Sequence, residues 1–121
     1  MNVSIRNSGR DQGNWRTVDV AGGVDLKTAP ELRQILFEAL RGESKVALNL
    51  AAITFIDSSG IAVLLEALRE SQRLHSQFVL FGMNAAVHDV FKITHVAKVF
   101  QVKDTEEQAL SAEISQTASG L

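Results

Sequence analysis

Two serine hydroxyls and one carboxylate stand together in the tetrapeptide Asp57-Ser58-Ser59-Gly60. The apolar run before it predicts a strand, and the amphipathic pattern after it predicts a helix. The tetrapeptide is therefore expected at the carboxyl end of a strand and the amino end of a helix, where ligands and reactive groups gather in open α/β sheets. Asp and Ser are also favoured helix N-caps, but a cap needs only one such side chain.

Other patterns that carry chemistry are missing from the sequence. It contains no GxxxxGK[ST] or GxGxxG phosphate loop, no GxSxG elbow and no HExxH pair. Because it has no cysteine, disulfides, thiolate nucleophiles and Cys-ligated zinc are excluded. Side chains one residue apart diverge on a helix, so Asp57 and Ser58 are not expected to act as a base and a nucleophile. The prediction is a protein that is not an enzyme, with no cofactor and no metal site.

The composition indicates a globular domain without a strong charge. The chain has 121 residues, of which 45% are hydrophobic and 21% charged, and this length argues for one domain. Twelve basic and fourteen acidic residues leave a net charge of -2, which gives no bulk attraction to nucleic acid or anionic membranes. The apolar runs are too short for a membrane span, and the first residues lack the order of a secretory signal. We therefore expect no nucleic-acid partner, no direct membrane insertion and a cytoplasmic location.

Strand and helix patterns alternate along the chain in the order ββαβαβαβα. The predicted strands are Val3–Ile5, Trp15–Ala21, Val46–Ile56, Phe78–Phe81 and Val99–Val102. The predicted caps of the first, third and fourth helices are Thr28 with Glu31, Asn84, and Asp104 with Glu107. This order predicts the α/β class, with a mixed, mostly parallel sheet, an N-terminal antiparallel hairpin and helices packed against the sheet.

The residues around the tetrapeptide resemble the signature of STAS domains, and in particular of stand-alone bacterial anti-sigma factor antagonists. The matching segments are Val46–Leu50, Ile53–Leu64, Gly22 with Val24-Asp25, Thr28–Leu36 and Phe91–Thr94. The resemblance spans about residues 3 to 114, and the fold that it implies agrees with the order of elements above. We expect one STAS domain over residues 1–114, followed by a frayed tail, 115–121, of mostly small and polar residues.

The resemblance implies a phosphorylation switch. In antagonists of this family, an ATP-dependent serine kinase that is also the anti-sigma factor phosphorylates the serine after the motif aspartate. A metal-dependent serine phosphatase removes the phosphate, and the unphosphorylated antagonist binds the anti-sigma factor and frees the sigma factor. On this chain the implied phosphoacceptor is Ser58. The implied partner-binding residues are Asp57, Ser59, Gly60 and Asp25.

Three positions depart from the family's pattern. Gly23 stands where the family often has Glu, which removes one acidic contact. His75-Ser76 replaces a glycine turn, and His95 replaces a glycine after Thr94. We expect the two histidine changes to alter loops only. Together the departures leave open which partner is recognised and whether the output is a sigma factor.

Two other functions share part of this pattern. A two-component receiver domain has the same length and carries a phosphoacceptor aspartate at a strand end, which would make Asp57 the acceptor. Receivers also resemble one another in an acidic pair after the first strand and a Lys-Pro after the fifth. Here the first strand leads to Arg10-Asp11, and Pro30 is the only proline. A second alternative is a non-enzymatic STAS subunit of a membrane transport complex, or a stress-signalling scaffold. The Ser58 hydroxyl favours the switch, because a purely structural subunit does not need it.

Overall fold

The computed structural model describes residues 1–8, 15–43 and 45–112. In these residues the helices and strands follow the predicted order. They are β1 Asn2–Ser8, β2 Trp15–Val24, α1 Ala29–Leu40, β3 Lys45–Ile56, α2 Ser58–Arg73, β4 Phe78–Phe81, α3 Ala85–Thr94, β5 Gln101–Lys103 and α4 Glu106–Leu110. Single 3-10 turns occur at Arg41–Glu43 and Ala97–Val99. The α/β class is therefore confirmed. The predicted tail, 115–121, lies outside the described residues.

The strands form one sheet in the order β1-β2-β3-β4-β5. β1 runs antiparallel to β2, and the other neighbouring pairs are parallel. This arrangement confirms the predicted hairpin on a mostly parallel sheet. Because parallel strands end on the same side, β2, β3 and β4 all finish at one edge of the sheet. We call this side, which begins after Val24, Ile56 and Phe81, the carboxyl edge.

Helices cover both faces of the sheet. Alternate residues of β2, β3 and β4 pack with α1, α2 and α3 in the main core, which contains Val18, Leu48 and Leu80. Their neighbours face the other way and form a smaller cluster with Ala109 of α4. All four residues of β4 are buried, as a strand covered on both faces requires. The main core lies directly beneath the first turn of α2 and so supports the predicted site.

The predicted cap of α3 is confirmed, whereas Thr28 is the N-cap residue of α1 as predicted but does not form the predicted capping-box bond. Asn84 accepts a hydrogen bond from the Val87 N–H at 3.0 Å, as a cap does. Thr28 makes no side-chain cap bond, because its backbone is already helical (φ -95°, ψ -19°). Its hydroxyl instead accepts from the Asp25 N–H at 2.9 Å and donates to the Gly23 carbonyl at 3.2 Å. Thr28 therefore holds the connection between β2 and α1.

Near the C-terminal end, predicted boundaries shift by one or two residues. The cap of α4 is Thr105, which accepts from the Gln108 N–H at 3.2 Å, and not Asp104. The last strand is Gln101–Lys103 instead of Val99–Val102, because the chain makes a 3-10 turn at Ala97–Val99 first. Short elements depend on a few bonds, so their ends are the least determined by sequence pattern.

Two of the three histidines occupy left-handed backbone positions. His75, which follows α2, has φ +56°, and His95, which caps the end of α3, has φ +59°. These are conformations that glycine adopts without a steric cost and other residues rarely adopt. They coincide with the two places where the family pattern has glycine. At both places the backbone is in a glycine conformation although the residue is not glycine.

We expect His95→Gly to stabilise the protein by up to about 1 kcal/mol, because it removes the cost of a side chain at positive φ. The matched control is His88→Gly, at an exposed position inside α3. There glycine weakens the helix, and a loss of about 0.5 kcal/mol is expected. Urea denaturation of the two variants measures both changes. Destabilisation of similar size at both positions would contradict this account.

Candidate functional site

Asp57 joins the end of β3 to the start of α2. Its backbone is extended (φ -107°, ψ -172°), and its carboxylate accepts hydrogen bonds from the N–H groups of Ser59 at 2.9 Å and Gly60 at 3.3 Å. These bonds satisfy two of the N–H groups that an α-helix leaves without partners at its start. The capping interpretation of the tetrapeptide is therefore correct for Asp57, and it leaves both serine hydroxyls without that role.

Ser58 is the first residue of α2 and is exposed, whereas Asp57 and Ser59 are half-buried. In the part of the chain that the structure describes, no side chain forms a hydrogen bond with the Ser58 hydroxyl. The Asp57 carboxylate is directed at backbone N–H groups and not at this hydroxyl. The Ser58 hydroxyl is therefore open to solvent, with no base bonded to it among the described side chains.

Gly60 is buried, and its lack of a side chain lets α2 begin close to the sheet. A Cβ atom at Gly60 would lie 2.6 Å from Cγ1 of Ile56 and 2.9 Å from Cγ1 of Val24. Both distances are shorter than real carbon contacts allow. The first turn of α2 consequently lies on the ends of β2 and β3, which sets the position of Ser58.

Asp25 lies at the same edge as Asp57. The Asp57 N–H donates to the Val24 carbonyl at 3.1 Å, so the residues after Val24 and Ile56 follow neighbouring strand ends. The Asp25 carboxylate accepts from the N–H groups of Thr28 at 3.1 Å and Lys27 at 2.9 Å. These bonds, that of Thr28 first, hold the pKa of Asp25 below its ordinary value. Asp25 is therefore an anion fixed in the turn before α1.

The two glycines near the end of β2 differ in whether the backbone and packing there favour glycine. Gly22 has φ +96° and lies where the pairing of β2 with β3 shifts register, so its conformation favours glycine. Gly23 pairs with Phe55, and a Cβ atom there would meet Phe55 Cδ2 at 3.4 Å, an ordinary contact. A side chain at Gly23 is thus sterically acceptable. Packing therefore does not require glycine at position 23.

Two apolar residues at the carboxyl edge were not among the predicted site residues. Leu26 is 76% exposed in the turn before α1, and Phe55 is 50% exposed next to the end of β3. Leu26 was detectable as an apolar residue between Asp25 and Lys27. Phe55 lies within an apolar run of the sequence. The pattern of that run does not show which of the residues in it faces solvent.

Two kinds of site are not found in the described ranges. Residues 1–8, 15–43 and 45–112 contain no group of three or more His, Asp or Glu side chains placed to hold a metal ion. Within the same ranges, no helix has the length and apolar character needed to cross a bilayer.

These features define a class of protein: a mixed α/β domain that displays an exposed serine beside an aspartate cap at the carboxyl edge. The family model described as STAS domain matches residues 9–109, and the chain belongs to the STAS domain family. The resemblance found in the sequence is thereby confirmed.

The most similar relatives include anti-sigma factor antagonists. The chain is 30% identical over 108 residues to the anti-sigma-B factor antagonist of Listeria monocytogenes, covering 88% of this chain and 93% of that protein. Among solved structures, the anti-sigma factor antagonist SpoIIAA in its unphosphorylated form has a TM-score of 0.73, with 20% identity and coverage of 99% and 98%. The phosphorylated form of SpoIIAA from Bacillus has a TM-score of 0.66, with 20% identity and coverage of 90% and 96%. The two SpoIIAA structures show a shared fold.

The close contact at Gly60 leads to a prediction about stability. Gly60→Ala should destabilise the protein by about 1–3 kcal/mol, because the new methyl group overlaps the buried side chains of Ile56 and Val24. Gly23→Ala is the matched control, and it should change the free energy of unfolding by less than about 1 kcal/mol. Chemical denaturation measures both. Equal effects of the two substitutions would show that close packing does not require glycine at position 60.

Proposed function

We propose that this STAS protein is an anti-sigma factor antagonist that works as a phosphorylation-controlled binding switch. The observation that carries the proposal is the exposed Ser58 at the first turn of α2, held there by the Asp57 cap. Its partner is an anti-sigma factor that is also an ATP-dependent serine kinase. The unphosphorylated form binds this partner, and phosphorylation of Ser58 ends the binding. The relationship to the Listeria protein supports the assignment.

The chemical step belongs to the partner. The kinase transfers the γ-phosphoryl group of ATP to the Ser58 oxygen, the hydroxyl proton passes to a base of the kinase, and ADP leaves. A metal-dependent serine phosphatase then hydrolyses the phosphate ester with water and restores the hydroxyl. This chain supplies the accessible hydroxyl and the rigid turn, and we infer that it has no turnover of its own. Such a cycle takes place in the cytoplasm.

The surroundings of Ser58 determine how a phosphate would be received. The start of an α-helix ordinarily offers free N–H groups to a phosphate. Two of them are not free in α2, because the N–H groups of Ser59 and Gly60 already donate to the Asp57 carboxylate. A phosphate carrying about -1.5 to -2 charges therefore either displaces this carboxylate or remains beside it. In both cases negative charge accumulates at the exposed end of α2.

This added charge acts on the partner more than on the fold. Beneath the turn that carries Ser58, Ile61 and Leu64 of α2 are buried in the main core. A partner that fits the bare hydroxyl would meet new bulk and charge in a desolvated contact, where such a mismatch costs several kcal/mol. The existence of the shared fold in both forms of SpoIIAA supports a switch without refolding.

The test uses each serine kinase of this type from the source organism, expressed singly and incubated with the protein and ATP. Mass spectrometry should find one phosphate on Ser58, absent in Ser58→Ala and retained in the matched variant Ser59→Ala. For the kinase that labels Ser58, calorimetry should show that Ser58→Ala binds as tightly as the wild type. Ser58→Asp should bind at least tenfold more weakly, with an unchanged melting temperature.

Several results would contradict this function. Phosphate on Ser59 with Ser58 unmodified would refute the assignment of the acceptor. Equal affinity of Ser58→Ala and Ser58→Asp would refute the switch. If no serine kinase labels or binds the protein, the alternative of a non-enzymatic transport subunit or scaffold replaces the proposal.

A further inference from the structure

The second half of α2 carries four charged side chains of alternating sign on its outer face. We call them the α2 stripe: Glu66, Arg69, Glu70 and Arg73. At steps of three, one and three residues, they lie on one side of the helix. Arg69 and Arg73 are exposed, and Glu66 and Glu70 are half-buried. Because the stripe has no net charge, it does not as a whole attract a ligand of either sign.

Three of the four charges are paired within the chain, and one is not. Glu66 accepts a hydrogen bond from Arg33 of α1 at 3.1 Å, and Glu70 accepts two from Arg73 at 2.9 and 2.6 Å. The bonds from Arg73 hold the pKa of Glu70 below its ordinary value, so Glu70 is an anion. Arg69 has the spacing to pair with Glu66, but it forms no hydrogen bond or ion pair in the part of the chain that the structure describes. The stripe therefore leaves one guanidinium open to a second molecule.

A groove of about 580 Å³ lies between the α2 stripe and α1. It is lined by the stripe itself, Phe37 and Gln72. The Phe37 ring is half-buried, and the Arg33 guanidinium lies 4.3 Å from its centre. Charged and amide groups around one aromatic ring fit an occupant that presents opposite charges at matching places together with an aromatic or apolar side chain.

The order of charges along the stripe is its own complement. A two-fold axis that passes between Arg69 and Glu70 reverses the direction of the helix. Glu66 then faces Arg73 of a second copy, and Arg69 faces Glu70 of that copy. Each charge of the stripe in one copy therefore meets an opposite charge in the other, and Arg69 gains the carboxylate that it lacks within its own chain.

Phe37 lies close to the same two-fold axis. Both α1 and α2 return the chain between parallel strands, so the two helices run in the same direction. Arg33 bonds to Glu66, and four residues further along both helices Phe37 is level with Glu70. In the two-fold arrangement the Phe37 rings of the two copies approach each other beside the axis, where an aromatic pair packs favourably.

We propose that two copies of this chain associate through the α2 stripe and Phe37, with their α2 helices antiparallel. This surface lies away from the candidate site, because about 17 Å along the helix axis separates Ser58 from Arg69. Since the axis reverses one helix, the two Ser58 residues lie at opposite ends of the paired helices, about 35 Å apart along them. Both Ser58 hydroxyls stay outside the contact, and the pairing does not depend on the proposed function.

The experiment measures self-association of the full chain by analytical ultracentrifugation in low salt, where the wild type is expected to dimerise. Arg69→Glu and Glu70→Arg should each raise the dissociation constant of the dimer at least tenfold, because each places like charges opposite each other. The matched control for Arg69→Glu is Lys92→Glu, the same change of charge at an exposed position of α3. That variant should dimerise within twofold of the wild type. Melting temperatures and amide NMR spectra establish that all three variants are folded.

An equimolar mixture of Arg69→Glu and Glu70→Arg is the decisive sample. In the mixed pair, the new carboxylate at position 69 of one chain faces the new guanidinium at position 70 of the other. The unchanged Glu70 of the first chain faces the unchanged Arg69 of the second. The mixture should therefore dimerise at least tenfold more tightly than either variant alone. A purely local effect of the substitutions on α2 would give no such recovery.

Three results would overturn the proposal. A wild type that sediments as a monomer at every concentration refutes the dimer. A wild-type dimer that Arg69→Glu weakens no more than Lys92→Glu does belongs to another surface. Failure of the mixture to recover, with both variants folded, means that positions 69 and 70 do not face each other across a two-fold axis.

Discussion

The hydrogen bond from the Asp57 N–H to the Val24 carbonyl is the contact on which the arrangement of the site depends. It extends the pairing of β2 and β3 by one step beyond the register pair Val24 and Ile56. The same residue then turns its carboxylate toward the first N–H groups of α2. One residue thus ends a strand, ties it to its neighbour and starts a helix. The direction in which Ser58 leaves the sheet follows from these three constraints.

The absence of a side chain at Gly60 supports the same geometry from below. Because α2 begins in direct contact with the ends of β2 and β3, the first turn has little freedom to move away from the sheet. A rigid turn suits a serine that must be presented to another protein in one orientation. A charge added at Ser58 would remain at this exposed turn, where it would act on the binding partner.

The positions that differ from the family pattern show that backbone conformation can be retained when the residue is replaced. His75 and His95 adopt the positive φ angles of glycine, and the turns that they form have the expected places in the fold. Gly23 is the opposite case, since its position has room for a side chain that it does not carry. The Phe55 ring beside it is 50% exposed at the carboxyl edge. The departures therefore change the surface that a partner meets and not the architecture.

The order of elements, the hairpin, the buried β4 strand and the cap at Asn84 followed from the sequence, because hydrophobic period and cap chemistry are local properties. The place of Ser58 at the start of a helix followed for the same reason. Sequence pattern failed at Thr28, whose hydroxyl is drawn to Gly23 and Asp25 by a turn that local spacing does not reveal. It also did not identify Leu26 and Phe55 as exposed, because exposure depends on what packs against a residue.

Only the tertiary structure decided that Asp25 and Asp57 share one edge, and that the Asp57 carboxylate occupies N–H groups otherwise open to a phosphate. The shared edge arises from contacts between segments more than thirty residues apart. The occupied N–H groups arise from the path of the turn after β3. A linear sequence pattern contains neither.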